Sequence, residues 1–163
     1  MARTKRYYLA YGSNLNVEQM ARRCPQARIA GIGEIKDYRL LFKGSKTGSY
    51  LTIEQAPGHT VPVAIWEVTA KDEKNLDLYE GFPTFYYKKA FKIECRPVST
   101  QSVKTTGRKH TIDAFAYIMD ERRTLGTPSW YYMATCMDGY EAFGFDSTIL
   151  WEAYTVSKKG EAV

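Results

Sequence analysis

Apolar residues fall in short strand-like runs over the first two thirds of this chain and at helical spacing over the last third. Tyr7 to Ala10 reads as a buried strand that breaks at Tyr11-Gly12-Ser13-Asn14-Leu15. Asn16 with Gln19 has the look of a capping box. Beyond it Val17, Met20, Ala21 and Cys24 share one helical face until Pro25 stops the element. Strand signals follow over Arg28 to Ile35, Tyr38 to Lys43, Tyr50 to Gln55 and Val61 to Val68. Turns are expected at Gly44 to Gly48 and at Ala56-Pro57-Gly58. Thr69 caps a second helix, with Asp72 and Glu73 in its first turn; it ends at Gly81, with Pro83 beyond. Phe85 to Cys95 and Thr111 to Met119 return to strand character. Between them Pro97 to Lys109 is polar and aperiodic, which predicts an exposed, mobile loop. Thr127 as N-cap and Pro128 at the first helical position open a long helix whose stripe is Tyr132, Cys136, Gly139, Tyr140 and Phe143, closed by Gly144. Asp146 caps a last helix, with Phe145 placed to staple onto Leu150.

Strands come together in sequence and do not alternate with helices, so a doubly wound parallel sheet is not expected. The prediction is an α+β fold over residues 1–163 as a single domain: a small, mostly antiparallel, strongly curled β-barrel flanked by helices. Composition is that of a globular chain able to bury a core, at 44% hydrophobic and 25% charged. The net charge of +5 is spread over short groups such as Arg22-Arg23 and Lys158-Lys159, not gathered in the stripe a nucleic-acid partner would need. Cys24, Cys95 and Cys136 lie far apart, and His59 and His110 complete no metal cluster, so neither metal nor cofactor is expected. Reduced thiols, no apolar run long enough for a membrane span and no apolar leader after Met1 point to a soluble, cytoplasmic protein. Trp130 and Trp151 are either a contact surface or buried within the monomer, so monomer and homodimer both stand.

Two places carry candidate chemistry. The glycine-bearing turn after the first strand presents backbone N–H groups that suit an anion, although such connections are also common without function. Glu80 stands at the end of the second helix, where unsatisfied carbonyls gather negative charge and Leu76 and Phe82 are placed to exclude water. Both effects raise a carboxylate pKa towards the range of a proton shuttle; the plain alternative is a solvated surface glutamate. Ser13 is not in a GxSxG elbow, Cys136 lies on an apolar stripe, and Gly31-Ile32-Gly33 has no helix after it to form a nucleotide site.

Tyr11 to Leu15, then Tyr79-Glu80-Gly81-Phe82-Pro83, then Pro128-Ser129 with Tyr132, and finally Gly139-Tyr140 with Gly144-Phe145-Asp146 stand in an order that resembles the gamma-glutamylcyclotransferase-like family, in its AIG2-like branch. The resemblance spans about Tyr7 to Tyr154. It implies an antiparallel barrel with surrounding helices and an enzyme that releases 5-oxoproline from a gamma-glutamyl amide. It further implies that Glu80 is the acid/base residue and that Tyr11, Gly12, Ser13, Asn14 and Leu15 hold the glutamyl moiety. Tyr87, Tyr117 and Tyr132 take the positions of pocket tyrosines. The loop reads Gly-Ser-Asn-Leu and lacks the bulky aromatic of the glutathione-degrading branch, which favours gamma-glutamyl amino acids or gamma-glutamyl amines. The same residues also admit a non-catalytic module that binds a glutamyl-like carboxylate. The leaving group would be read by loops such as Lys43 to Tyr50 or Pro97 to Lys109, which carry no readable signature.

Overall fold

The computed structural model describes residues 5–45, 48–98 and 107–161. In chain order these form β1 (Arg6–Ala10), a 3-10 turn (Ser13–Leu15), α1 (Val17–Arg23), β2 (Arg28–Ser45), β3 (Gly48–Val68), α2 (Ala70–Glu80), β4 (Tyr86–Pro97), β5 (His110–Met119), β6 (Thr124–Leu125), α3 (Trp130–Phe143) and α4 (Ser147–Glu161). The strands run in the order β3-β1-β5-β4-β2-β6, and β2 also pairs with β3, so five strands close on themselves and β6 hangs on β2. This is the expected curled, mostly antiparallel barrel. Among the described residues the single parallel pairing joins β1 to β5 at Tyr8 and Phe115.

Closure depends on β2 and β3, which are longer than the sequence pattern suggests. No turn interrupts β3 at Ala56-Pro57-Gly58, and Arg28 to Lys43 is one strand rather than two. The two strands instead bend together. Their register shifts between Lys36 and Tyr38, Asp37 takes a left-handed φ of 63°, and the Gly58 N–H donates to Asp37 Oδ1 at 3.0 Å. Such bulges increase twist locally and let a sheet curl. Gly31 proves to be a crossing point between strands: a Cβ there would lie 2.5 Å from the Arg96 carbonyl oxygen of β4.

The helices cover the barrel. Residues Val61 to Trp66 are all buried, because one face of β3 looks into the barrel and the other lies under helices; Trp66 packs against Phe143 of α3. α3 inserts Met133, Cys136, Tyr140 and Phe143, each large side chain stabilising the fold by about 1.5–3 kcal/mol. Its N-cap is Ser129, whose hydroxyl accepts from the Tyr132 N–H at 3.1 Å, two residues later than the expected Thr127 cap. α4 docks on β2 through Ser157, whose Oγ accepts from the Phe42 N–H at 2.9 Å. Trp130 remains exposed and stacks on Tyr154, while Trp151 is half-buried beside it. The three cysteines are free and buried. Among the described residues no helix is long and apolar enough to cross a membrane. Of the expected loop from Pro97 to Lys109, residues 99–106 lie outside those described.

Candidate active site

The end of β1 leads straight into a tight turn. Leu15 and Asn16 donate to the carbonyls of Gly12 and Ser13, both at 3.0 Å, and the N–H groups of Ser13 and Asn14 lie outside that pattern. Trp66 Nε1 donates to the Asn14 carbonyl at 3.2 Å and ties the turn to β3. From the other side α3 comes so close that a Cβ on Gly139 would meet Leu15 Cβ at 2.5 Å and the Leu15 carbonyl carbon at 2.7 Å. The turn is therefore held from two directions.

α2 delivers the carboxylate. Thr69 and Asp72 form a reciprocal capping box at its start, each side chain taking the other's N–H at 3.1 Å. At its end Gly81 is left-handed, with φ 64° and ψ 36°, and the N–H groups of Gly81 and Phe82 bond to the carbonyls of Leu78 and Asp77. Glu80 is thereby turned into a cavity of about 350 Å³, the size of a small-molecule site.

That cavity brings together Tyr11, Gly12, Ser13, Asn14 and Glu80 from the first two sequence motifs, with Tyr117 and Tyr132 completing its wall. Leu15 does not line it: the side chain is fully buried on the far side of the turn, against α3. Tyr87 does not line it either. Alternation along β4 turns Tyr86 inward and Tyr87 outward, where its hydroxyl donates to the Glu121 carboxylate. Tyr8, Tyr50, Tyr79, Phe85 and Tyr86 also line the cavity; of these the sequence marks only Tyr79, as a motif residue without a role at the site. A strand's alternation shows which residues share a face, but not which face a closed barrel turns inward. Arg23 lies just behind the wall; in sequence it appears only as half of a basic pair. Its guanidinium sits 3.2 Å from the centre of the Tyr79 ring and donates to Asn14 Oδ1, and its carbonyl accepts from Asn75 of α2 at 3.1 Å. This side chain joins the turn to the end of α2.

The carboxyl of Glu80 is pushed up to about 7. Burial among the tyrosines is the principal cause, and the positive charge of Arg23 opposes it. Of the two causes the sequence suggests, exclusion of water is the one that operates, although Phe82 is not what supplies it. Of the last four carbonyls of α2, those of Leu78 and Asp77 accept from the Gly81 and Phe82 N–H groups, and Phe82 is exposed, packing edge-on to Tyr117 outside the cavity. A carboxyl that ionises near neutrality, with no ion-pair partner among the described residues and sharing a cavity with the Gly12 to Asn14 turn, can take a proton from one group and return it to another.

Comparison with known proteins gives a consistent result. The family model described as gamma-glutamyl cyclotransferase, AIG2-like, matches residues 8–134. The gamma-glutamylcyclotransferase of Homo sapiens is 28% identical over 141 residues, spanning 82% of this chain and 70% of the human protein. The corresponding protein of Bos taurus is 30% identical over the same extent. A solved structure of a gamma-glutamyl cyclotransferase superposes with a TM-score of 0.74 over 92% of this chain and 86% of its own, at 24% identity, which is a likeness of fold.

Proposed function

Because this chain belongs to the gamma-glutamyl cyclotransferase, AIG2-like family and is a cyclotransferase enzyme, we propose that it cyclises gamma-glutamyl amino acids or gamma-glutamyl amines with Glu80 as the proton shuttle. In this reading the α-amine of the glutamyl group attacks its own γ-carbonyl carbon. A ring C–N bond forms, the bond to the departing nitrogen breaks, and 5-oxoproline leaves with the free amine; no water is consumed. Glu80 accepts the proton of the attacking amine and passes it to the leaving nitrogen. The turn from Gly12 to Asn14 holds the glutamyl moiety through its N–H groups. Folding the extended glutamyl chain into an attacking conformer is a positioning task for the tyrosine-lined wall.

The observation that supports this reading best is Glu80 itself: a carboxyl with no ion-pair partner among the described residues, opening into the cavity opposite the turn. A module that only bound a carboxylate ligand would gain nothing from a second negative charge beside it. The Gly-Ser-Asn-Leu loop argues against glutathione as the preferred substrate. The test is release of 5-oxoproline from a panel of gamma-glutamyl amino acids, gamma-glutamyl amines and glutathione, with Glu80→Gln alongside. Release that depends on Glu80 is expected, strongest outside glutathione. Silence across the panel with ligand still bound would return the protein to the non-catalytic module.

A further inference from the structure

The turn contains a run of hydrogen bonds whose direction is set by its first member. Arg23 donates through Nη1 to Asn14 Oδ1, and more weakly to Ser13 Oγ at 3.4 Å. A guanidinium has donors only, so the Asn14 amide oxygen must face it. The Asn14 Nδ2 group then points the other way, where it donates to the Tyr8 hydroxyl at 2.9 Å. Having accepted from Asn14, that hydroxyl keeps its own proton for a different acceptor.

Three other tyrosines of the wall have no proton to offer. Tyr11 donates to the Tyr117 carbonyl at 2.5 Å, Tyr86 to the Leu51 carbonyl at 2.8 Å, and Tyr117 to Asp77 at 2.6 Å. Tyr132 resembles Tyr8, since its oxygen accepts from the Leu51 N–H at 3.1 Å. Tyr8 is buried, shares the cavity wall with Glu80 and feels that carboxylate electrostatically. Burial holds its phenol well above the ordinary range, so it remains a donor at any working pH.

Resting on the reaction just described, we propose that Tyr8 is a further catalytic residue, donating to the γ-carbonyl oxygen as it becomes an oxyanion, and that Arg23 is a positioning residue acting through Asn14. Glu80 must reach both nitrogens attached to the γ-carbonyl carbon in the course of the reaction. With both nitrogens turned to Glu80, the tetrahedral carbon turns its oxygen away from that carboxyl and towards the rest of the cavity lining, to which Tyr8 brings its hydroxyl proton. A fixed donor also gives most when charge develops on its acceptor, which is the condition for lowering a barrier rather than merely tightening binding.

The experiment measures kcat and KM for 5-oxoproline release, at a pH where Glu80 is ionised, in Tyr8→Phe, Arg23→Met, Arg23→Lys and the Tyr8→Phe/Arg23→Met double variant. Tyr8→Phe is expected to lower kcat on the order of 100-fold with KM little changed. Arg23→Met should lose a similar factor, and Arg23→Lys should recover most of it, because an ammonium is also a donor without acceptors. The double variant should be no slower than Tyr8→Phe, since both changes remove one interaction. A Tyr8→Phe enzyme with undiminished kcat overturns the proposal, as does a rise in KM alone or losses that multiply in the double variant. If Arg23→Met does not fold, the nearly isosteric Tyr8→Phe decides the matter. Wild-type silence on every gamma-glutamyl amide refutes the parent reaction and this role with it, whereas wild-type turnover with an unimpaired Tyr8→Phe refutes this role alone.

Discussion

Glu73, Asp77 and Glu80 lie on one face of α2, spaced at successive turns, and their surroundings differ sharply. Lys88 of β4 reaches the first two at 2.5 and 2.8 Å; Arg6 adds a second cation to Glu73 at 2.7 Å, and the Tyr117 hydroxyl donates to Asp77 at 2.6 Å. Glu80 has none of this and ionises near 7. The helix is the same and the chemistry of the side chain nearly so. What changes is the wall opposite: β4 lies against the first two carboxylates, but it begins only at Tyr86, so the third faces the cavity. The first pair fastens helix to barrel, and the third is left available for protons.

The sharpest way to break this contrast is Glu80→Gln, which should cut 5-oxoproline release by about 10²–10⁴-fold while ligand binding, followed by calorimetry, persists. The same change should stabilise the protein at pH 8. A carboxyl with a folded-state pKa near 7 against 4.5 in the unfolded chain contributes fully below pH 4.5, and that contribution is lost as pH rises to 7. Glu80→Gln should therefore raise Tm at pH 8 by an amount corresponding to up to about 3 kcal/mol, with no gain at pH 4. Equal Tm shifts at both pH values would contradict the burial of Glu80.

Next in size is the acid limb of the wild-type rate. Once substrate amine ionisation is corrected for, kcat/KM should fall roughly tenfold per pH unit below a midpoint near 7, as Glu80 takes up its proton. A midpoint near 4 would mean that water reaches the carboxylate freely. Lys88→Met probes the other half of the comparison. It leaves Glu73 and Asp77 facing each other without their shared cation, at a cost of about 1–3 kcal/mol, read as a Tm lowered by about 2–4 °C per kcal/mol. Turnover per folded molecule should change far less than in Glu80→Gln. The smallest effect belongs to Tyr87→Phe: turnover should stay close to wild type, and a large loss would return Tyr87 to the cavity.

Much of this arrangement is legible in the sequence where the cause is local. Thr69 with Asp72 announces the start of α2, and Gly81 its end, because caps are matters of a few neighbouring residues. The Ala56-Pro57-Gly58 stretch misleads because its turn-like residues serve a bend shared with Asp37 on another strand, and that pairing cannot be seen locally. The same holds at the site. Glu80 and the Gly12 turn are visible as motifs, but Tyr50 and Tyr86 become wall residues only once the barrel closes. Arg23 reads as half of a solvent-facing pair until α2 is packed beside it. Tyr87 shows the converse: it is next to a lining residue and faces away.

The close seat of Gly139 against Leu15 bears on the order in which the protein is made. Every residue found lining the cavity lies at or before Tyr132, so a ribosome completes the list of site residues before it has produced the part of α3 that clasps the turn. A nascent chain at that stage carries the carboxylate and the loop, with Leu15 still uncovered. The clasp closes only when Gly139 follows, so a fragment ending at residue 134, supplied with residues 135–161 as a separate piece, is expected to offer a switchable, split form of the same site.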